Sequence, residues 1–212
     1  MGLRINKRAY LGFISGPTHI GSMEYDPSVR IAGDPDVYPP SEDSLLLIRA
    51  LDVGPGERVL EIGCGSGVVA VHCALNGAAV VCGDINPSAV ALTRRNAEDN
   101  GAVADVRETD LFSGIDGVFD TIVFNLPYLP VDEEGTLEQA WSGGPDGLGP
   151  LPRLIDVAPE RLDDGGRLVV VVSSLMDTAR LDALLEGLDV RVLAELPLFF
   201  ERLRVLEIRF NR

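Results

Sequence analysis

The sequence predicts an α/β domain built on a mostly parallel, doubly wound sheet with helices on both faces. Three observations carry this. Short apolar runs alternate with helical segments of about 10–15 residues, the rhythm of strands joined by helical crossovers. A glycine-rich turn, Gly63-Cys64-Gly65-Ser66-Gly67, joins the first of these runs to a helix. The last two runs leave no room for a crossover helix, so they pair antiparallel and one strand of the sheet is reversed.

Residues 1–36 have little periodicity and many Gly, Pro and polar residues, which predicts a flexible leader ahead of a domain over 37–212. Its basic cluster, Arg4, Lys7 and Arg8, is too short for a transit peptide. Gly21-Ser22-Met23 fits either a tag followed by a start or a natural extension. Ser41 is the predicted N-cap of a helix with Glu42 and Asp43 in its first turn and Leu45 to Ile48 behind them. Residues 59–62 form a short strand, 68–76 a helix, and 79–82 a second strand that ends at Asp84. Asn86 caps an amphipathic helix over 87–100, with Pro87 at its first position. A weaker third strand covers 103–108 and a fourth 119–124. Beyond a Gly/Pro-rich loop come a helix over 151–162 closed by Asp164-Gly165-Gly166, a buried strand over 168–172 and a helix over 178–188. Strands over 190–196 and 205–210 end the fold.

Composition narrows the function. With 212 residues, 46% of them hydrophobic, the chain can bury the core of one large domain. No apolar run approaches the ~20 residues needed to span a bilayer, so a cytoplasmic protein is expected. Thirty-three acidic against 18 basic residues give a net charge of −15, which repels a naked duplex and argues against direct nucleic-acid binding. Lys7 is the sole lysine; so acid-rich and lysine-poor a balance suits concentrated salt, and predicts an archaeal halophile as source. Cys64, Cys73 and Cys82 fall in apolar segments and read as buried thiols in a reducing compartment. His19 and His72 belong to no cluster at ligand spacing, so no metal is expected.

The chemistry concentrates where strands end. The fourth strand delivers Asn125-Leu126-Pro127-Tyr128 to the rim of the sheet. The Asn125 side-chain oxygen and the Leu126 carbonyl can accept both hydrogens of a planar NH2 group, with the Tyr128 ring against its plane. An isolated motif of this kind is more often a proline-rich turn, so context decides. The glycine turn is G-x-G-x-G, which differs from the G-x-G-x-x-G of pyrophosphate sites, and Glu61 just before it suits a cationic cofactor. Asp84 lies about 20 residues beyond Gly63, the offset at which an acid holds a ribose diol. Asp110 can accept from an adenine amino group while Leu111 backs the ring. Singly these acids are helix caps or solvated strand ends; together, at successive strand ends, they outline one binding site.

These motifs resemble those of class I S-adenosylmethionine-dependent methyltransferases that modify planar nitrogen. The upstream Val37-Tyr38-Pro39-Pro40-Ser41-Glu42-Asp43-Ser44 and the downstream Ala140-Trp141-Ser142-Gly143-Gly144-Pro145-Asp146-Gly147 are similar to the flanking motifs of release factor glutamine N5-methyltransferases, HemK/PrmC-like, archaeal and eukaryotic branch. The resemblance runs from residue 37 to the C-terminus. It implies a Rossmann-like sheet of order 3-2-1-4-5-7-6 with strand seven reversed, and S-adenosyl-L-methionine as cofactor, with S-adenosyl-L-homocysteine as product and no metal in this chain. It implies that Ser44, Glu61, Gly63, Cys64, Gly65, Gly67, Asp84, Ile85, Asp110, Leu111 and Asn125 hold the cofactor. Asn125, Leu126, Pro127 and Tyr128 are then catalytic, with Asn125 and Tyr128 also binding substrate.

The implied substrate is the glutamine of the Gly-Gly-Gln motif in a class 1 peptide chain release factor. The implied partner is a small zinc-binding activator protein in a heterodimer, adding a strand at the edge strand 103–108. The alternatives are an adenine N6 or guanine N2 amino-methyltransferase, and a module that binds the cofactor without catalysis. Leu126 departs from the family's usual proline: the carbonyl is retained, the φ restraint is lost, and activity is expected to survive. Glu42 and Asp43 read equally as helix-start or site residues, and Trp141 as core packing or substrate-loop anchor.

Overall fold

The computed structural model describes residues 23–131 and 140–211. Its elements are α1 (Glu42–Ala50), β1 (Arg58–Ile62), α2 (Val68–Leu75), β2 (Ala79–Asp84), α3 (Pro87–Asp99), β3 (Ala104–Glu108), β4 (Phe119–Phe124), α4 (Leu151–Arg161), β5 (Leu162–Ser173), α5 (Thr178–Leu185), β6 (Asp189–Pro197) and β7 (Arg202–Arg209). The seven strands form one sheet of order β3-β2-β1-β4-β5-β7-β6. Strands β1 to β5 pair parallel, whereas β7 is antiparallel to both of its neighbours. The predicted order and the reversed strand are both present.

Alternation along the strands sorts the core into two layers. Val59, Val123, Val169 and Val171 point to the side covered by α1 and α2, where they meet Leu46, Leu47, Val69 and Cys73. Leu60, Ile122, Leu168 and Val170 point to the other side, against Leu151, Leu154 and Ala158 of α4 and Leu181 of α5. The three cysteines are buried and unbridged, so they pack as small apolar side chains.

Local chemistry sets the helix starts. Asn86 caps α3 by accepting from the Ser88 amide at 2.9 Å, and Pro87 occupies the first turn. Asp177 caps α5 through the Arg180 amide. Ser41 stands at the N-cap of α1 but does not close on the backbone; its hydroxyl donates to Glu42 at 2.6 Å.

The structure departs from the sequence reading at two places. Asp163 to Gly166 do not form a free turn after α4 but a bulge at the start of β5, where the pairing with β4 shifts between Phe119 and Thr121. Arg58 holds that bulge by bridging Asp120 and Asp163. Gly166 sits where a Cβ would stand only 3.0 Å from the carbonyl oxygens of Asp163 and Phe119. The other departure concerns the leader expected over residues 1–36. Residues 1–22, with Arg4, Lys7, Arg8 and His19, lie outside the described residues. Residues 23–36 are not free chain: they run across α2 and α3 and are tied down by side chains that imitate a strand partner.

Asn96 accepts from the Ala32 amide at 2.9 Å and donates back to its carbonyl at 3.3 Å. Asn100 does the same for Arg30, at 2.9 and 2.8 Å. Tyr25 stacks on His72 with ring centroids 5.0 Å apart, and the Met23 amide donates to Leu51. Among the described residues no helix is long and apolar enough to cross a membrane, and no group of three or more His, Cys, Asp or Glu is spaced to hold a metal ion.

His72 makes this docking sensitive to pH. Its Nδ1–H donates to the Val68 carbonyl at 2.7 Å and its bare Nε2 accepts from the Asp26 amide at 3.2 Å. Both partners are satisfied only by the neutral ring. Burial lowers its pKa below the ordinary histidine value, against weaker opposing effects of Val68 and Asp26. The contribution to stability is therefore complete above the unfolded pKa of about 6.5 and is lost as pH falls through the lowered folded value. Thermal unfolding between about pH 7.5 and pH 5.5 should show a larger loss of Tm in the wild type than in His72→Gln; parallel curves would remove this role.

Candidate active site

The carboxyl ends of the parallel strands open into a cavity of about 290 Å³. Strand β1 brings Glu61 to its wall, β2 brings Asp84, the segment after β3 brings Asp110 and Leu111, and β4 is followed by Asn125, Leu126, Pro127 and Tyr128. Ser44, from α1, Gly63, Cys64, Gly65 and Ile85 complete the predicted set on the wall. Gly67 is the exception. It stands at the N-cap of α2 in the left-handed conformation, off the cavity wall, where a Cβ would meet Thr93 at 2.8 Å. Its part is to turn the chain into α2.

Close packing sets the shape of the loop after β1. Gly63 has φ +66°, and a Cβ there would meet the Phe124 ring at 2.6 Å. The Thr93 hydroxyl donates to the Gly65 carbonyl at 3.0 Å, and Asn96 donates to Ser66 at 2.8 Å, so α3 grips this loop from behind. Asp84 ties it to the start of α3 by accepting from the Gly65 and Asn86 amides, both at 2.9 Å. Burial raises the Asp84 pKa, and those backbone donors offset part of the rise.

Two buried oxygens on this wall have no hydrogen-bond partner: Glu61 Oε2 and Asn125 Oδ1. They are the only such side-chain atoms among the described residues. An unmet buried acceptor costs about 1–3 kcal/mol, so the pair marks where donors from a bound molecule belong. Burial pushes the Glu61 carboxyl well above the usual carboxylate range, reinforced by Cys64 and Asp84, while the Ala70 amide opposes the rise. A cation beside Glu61 restores the carboxylate.

The wall beyond Asn125 is held by a second constellation. The buried Asp43 accepts from the Ser44 amide at 2.6 Å and from the Tyr128 hydroxyl at 3.3 Å. Burial, and after it the charge of Asp43, raises the Tyr128 pKa and keeps the phenol neutral. Asp43 is thus a site residue as well as a helix-start acid. Asp110 lines the cavity, yet its exposed carboxylate is engaged by Arg153 of α4 at 2.9 Å. Leu111 has φ +52°, the one non-glycine at positive φ among the described residues. Trp141 lies on the cavity wall with its ring centroid 6.0 Å from that of Tyr38, so it is a wall of the site rather than core.

The loop after the Asn125 segment braces it from outside. Leu129 pairs with Ser142 as a parallel bridge, its N–H donating to the Trp141 carbonyl at 3.0 Å and its carbonyl accepting from the Gly143 N–H at 2.8 Å. Added Cβ atoms on Gly147 and Gly149 would stand 2.7 and 2.9 Å from the carbonyl oxygens of Tyr128 and Pro127. These glycines let two backbones touch. Leu126, whose side chain sequence reasoning left without a task, is buried in the core layer that also holds Phe124, Leu148 and Leu151.

A family model described as Methyltransferase small domain matches residues 40–195. The chain belongs to this family. It is 38% identical over 185 residues to a protein of Methanocaldococcus jannaschii named a putative protein N5-glutamine methyltransferase, spanning 84% of this chain and 94% of that one. It is 39% identical over 152 residues to methyltransferase HEMK2 of Mus musculus, spanning 64% of this chain and 71% of that one. The solved complex of E. cuniculi Mtq2 with Trm112, described as responsible for methylation of the eRF1 translation termination factor, aligns with a TM-score of 0.67. Identity there is 25%, over 83% of this chain and 99% of that chain. The T. thermophilus 16S rRNA N2 G1207 methyltransferase, solved with AdoMet and guanosine, shares the fold, with a TM-score of 0.61 and 24% identity over 82% of this chain and 44% of that one.

This methyltransferase takes S-adenosyl-L-methionine as its cofactor, and the cavity fits it. The glycine turn gives close backbone access, Glu61 offers a buried unmet acceptor that a cationic ligand would hold as the carboxylate, and Asp84 keeps acceptor capacity beyond its two backbone bonds. Gly147→Ala should lower unfolding stability by about 1–3 kcal/mol, because it adds strain at φ +72° and a contact with the Tyr128 carbonyl. Denaturant unfolding measures this; an unchanged midpoint would mean that the loop does not press on the Asn125 segment.

Proposed function

We propose that this chain transfers a methyl group to the side-chain amide nitrogen, N5, of the glutamine in the Gly-Gly-Gln motif of a class 1 peptide chain release factor. The observation that carries the reading is the unmet Asn125 Oδ1, buried on the same cavity wall as the unmet Glu61 Oε2. The names borne by the M. jannaschii relative and the E. cuniculi complex support it. Bound S-adenosyl-L-methionine supplies an electrophilic methyl on a sulfonium.

The chain's residues supply orientation. An amide nitrogen is a weak nucleophile because its lone pair is delocalised into the carbonyl. In this reading Asn125 Oδ1 and the Leu126 carbonyl accept the two hydrogens of the NH2 group, which fixes its plane and favours positive charge developing on nitrogen. Tyr128 lies against the amide face, kept neutral by burial and by the charge of Asp43, whose carboxylate also accepts from its hydroxyl. No side chain has to act as a strong base, since the nitrogen grows more acidic as it is alkylated. Glu61 and the Gly63 to Gly65 backbone hold the cofactor, with Asp84 toward its ribose and Asp110 and Leu111 toward its adenine. Arg153 must share Asp110 with that base.

Asn125→Ala should lower kcat by about a hundredfold or more while the cofactor dissociation constant changes by less than about tenfold. A methyl-transfer assay on the release factor and its Gln→Ala variant, with bulk RNA in parallel, measures it. Near wild-type kcat refutes the role of Asn125, and transfer to RNA alone would favour the amino-methyltransferase of nucleic acids. The net charge of −15 disfavours that second reading.

A heterodimer with a small zinc-binding activator is part of the proposal. The E. cuniculi complex supports a small partner. Strand β3 is an edge of the sheet, with Val103 beside it 85% exposed, although Arg107 and Asp105 pair along that strand at 2.6 Å. Co-expression with such an activator should raise soluble yield and activity, and a fully active lone chain would remove the partner.

A further inference from the structure

Strands β6 and β7 are joined by a hairpin whose tip is Phe199-Phe200. The Leu198 amide donates to the Glu201 carbonyl at 2.7 Å and closes the hairpin around these two residues. Two-residue hairpin loops favour Gly and Asn, and neither phenylalanine adopts positive φ. Folding does not call for aromatics there. Yet Phe199 and Phe200 are 91% and 85% exposed, with rings packed edge to face at 4.6 Å. They are the most exposed aromatic pair among the described residues of a strongly acidic protein.

The tip has a definite place. Strand β7 runs against β5 and β6 runs against β7, so β6 ends at the same rim where β1 and β4 deliver Glu61 and Asn125. Glu201, next to Phe200, accepts from Ser173 at the end of β5 at 2.7 Å. Its charge also reaches the phenols of Tyr38 and Tyr128 on the cavity wall. Between the tip and the start of α5 runs a shallow groove in which Pro197, Leu198 and Phe200 lie beside Ser174 and Thr178 and the charged Glu195, Glu201, Arg202 and Arg204. The tip therefore flanks the mouth of the active site.

We propose that the Phe199-Phe200 tip and this groove form a docking site for a segment of the protein substrate that sets apolar side chains against the two rings and polar groups in the groove, beside the loop that carries the glutamine. This rests on the reading of the site as one that takes a glutamine within a folded protein. Two arguments select this occupant. Two aromatic side chains bring about 150–250 Å² each to an interface, well short of the ~800 Å² per partner of a stable association, so they serve a partner anchored elsewhere as well. A substrate seated at Asn125 is so anchored. The activator proposed for the β3 edge would sit at the far end of the sheet from β6.

Steady-state kinetics of Phe199→Ser/Phe200→Ser on the intact release factor and on a short Gly-Gly-Gln peptide tests the proposal. The variant should raise KM for the intact protein by about tenfold or more, with kcat at saturation, cofactor affinity and turnover of the peptide within about twofold of wild type. Equal KM values on the intact protein overturn the docking site while leaving the proposed activity standing. So does a dimer of the wild type that the variant makes monomeric without a change in KM, because the occupant is then a second copy. Absence of transfer to any protein by the wild type overturns both.

Discussion

Two unmet acceptors in one cavity are the constraint around which this structure is arranged. A buried oxygen without a donor is costly, and two of them at neighbouring strand ends are harder still to justify as packing. The proposed function gives each a different ligand group. Glu61 faces the place of a cation, and its raised pKa registers what burial costs a carboxylate before one arrives. In the proposed reading Asn125 faces the place of an NH2 group, and the neighbourhood of the two oxygens brings donor and acceptor of the methyl together.

The scaffold holds these oxygens by close approach more than by added bonds. Gly63 lets the Phe124 ring lie against the loop, and Gly147 and Gly149 let a second loop rest on the Pro127 and Tyr128 carbonyls. Gly83 does the same for Thr109, whose methyl occupies the space a Cβ would need. Behind them Thr93, Asn96 and Asp84 fasten the β1 loop to α3. Such contacts tolerate no added methylene, which is why small residues recur on both sides of the cavity.

The wound sheet, its reversed strand and most of the cavity wall were legible in the sequence, because apolar alternation, strand-end acids and glycine turns are local signals; the strand order came from the family resemblance. The departures are non-local. Nothing near Asp163 announces that Arg58 will hold it as a bulge, since the two residues meet only after β1, β4 and β5 assemble. Residues 23–36 lack periodicity because Asn96 and Asn100, rather than a strand, satisfy their backbone. The one trace was Asn96 on the apolar face of α3. Gly67 was assigned to the cofactor by motif, although its φ of +77° serves the helix start. The weights of Asp43 and Trp141 could not be chosen from sequence, because each depends on a distant partner, Tyr128 or Tyr38.

The most direct test is a distance. In a crystal of the chain with S-adenosyl-L-homocysteine and a Gly-Gly-Gln peptide, the glutamine amide nitrogen should lie about 3 Å from both Asn125 Oδ1 and the Leu126 carbonyl oxygen, with the cofactor against Glu61. An amide bound elsewhere, with Asn125 Oδ1 still without a donor, would contradict the central claim.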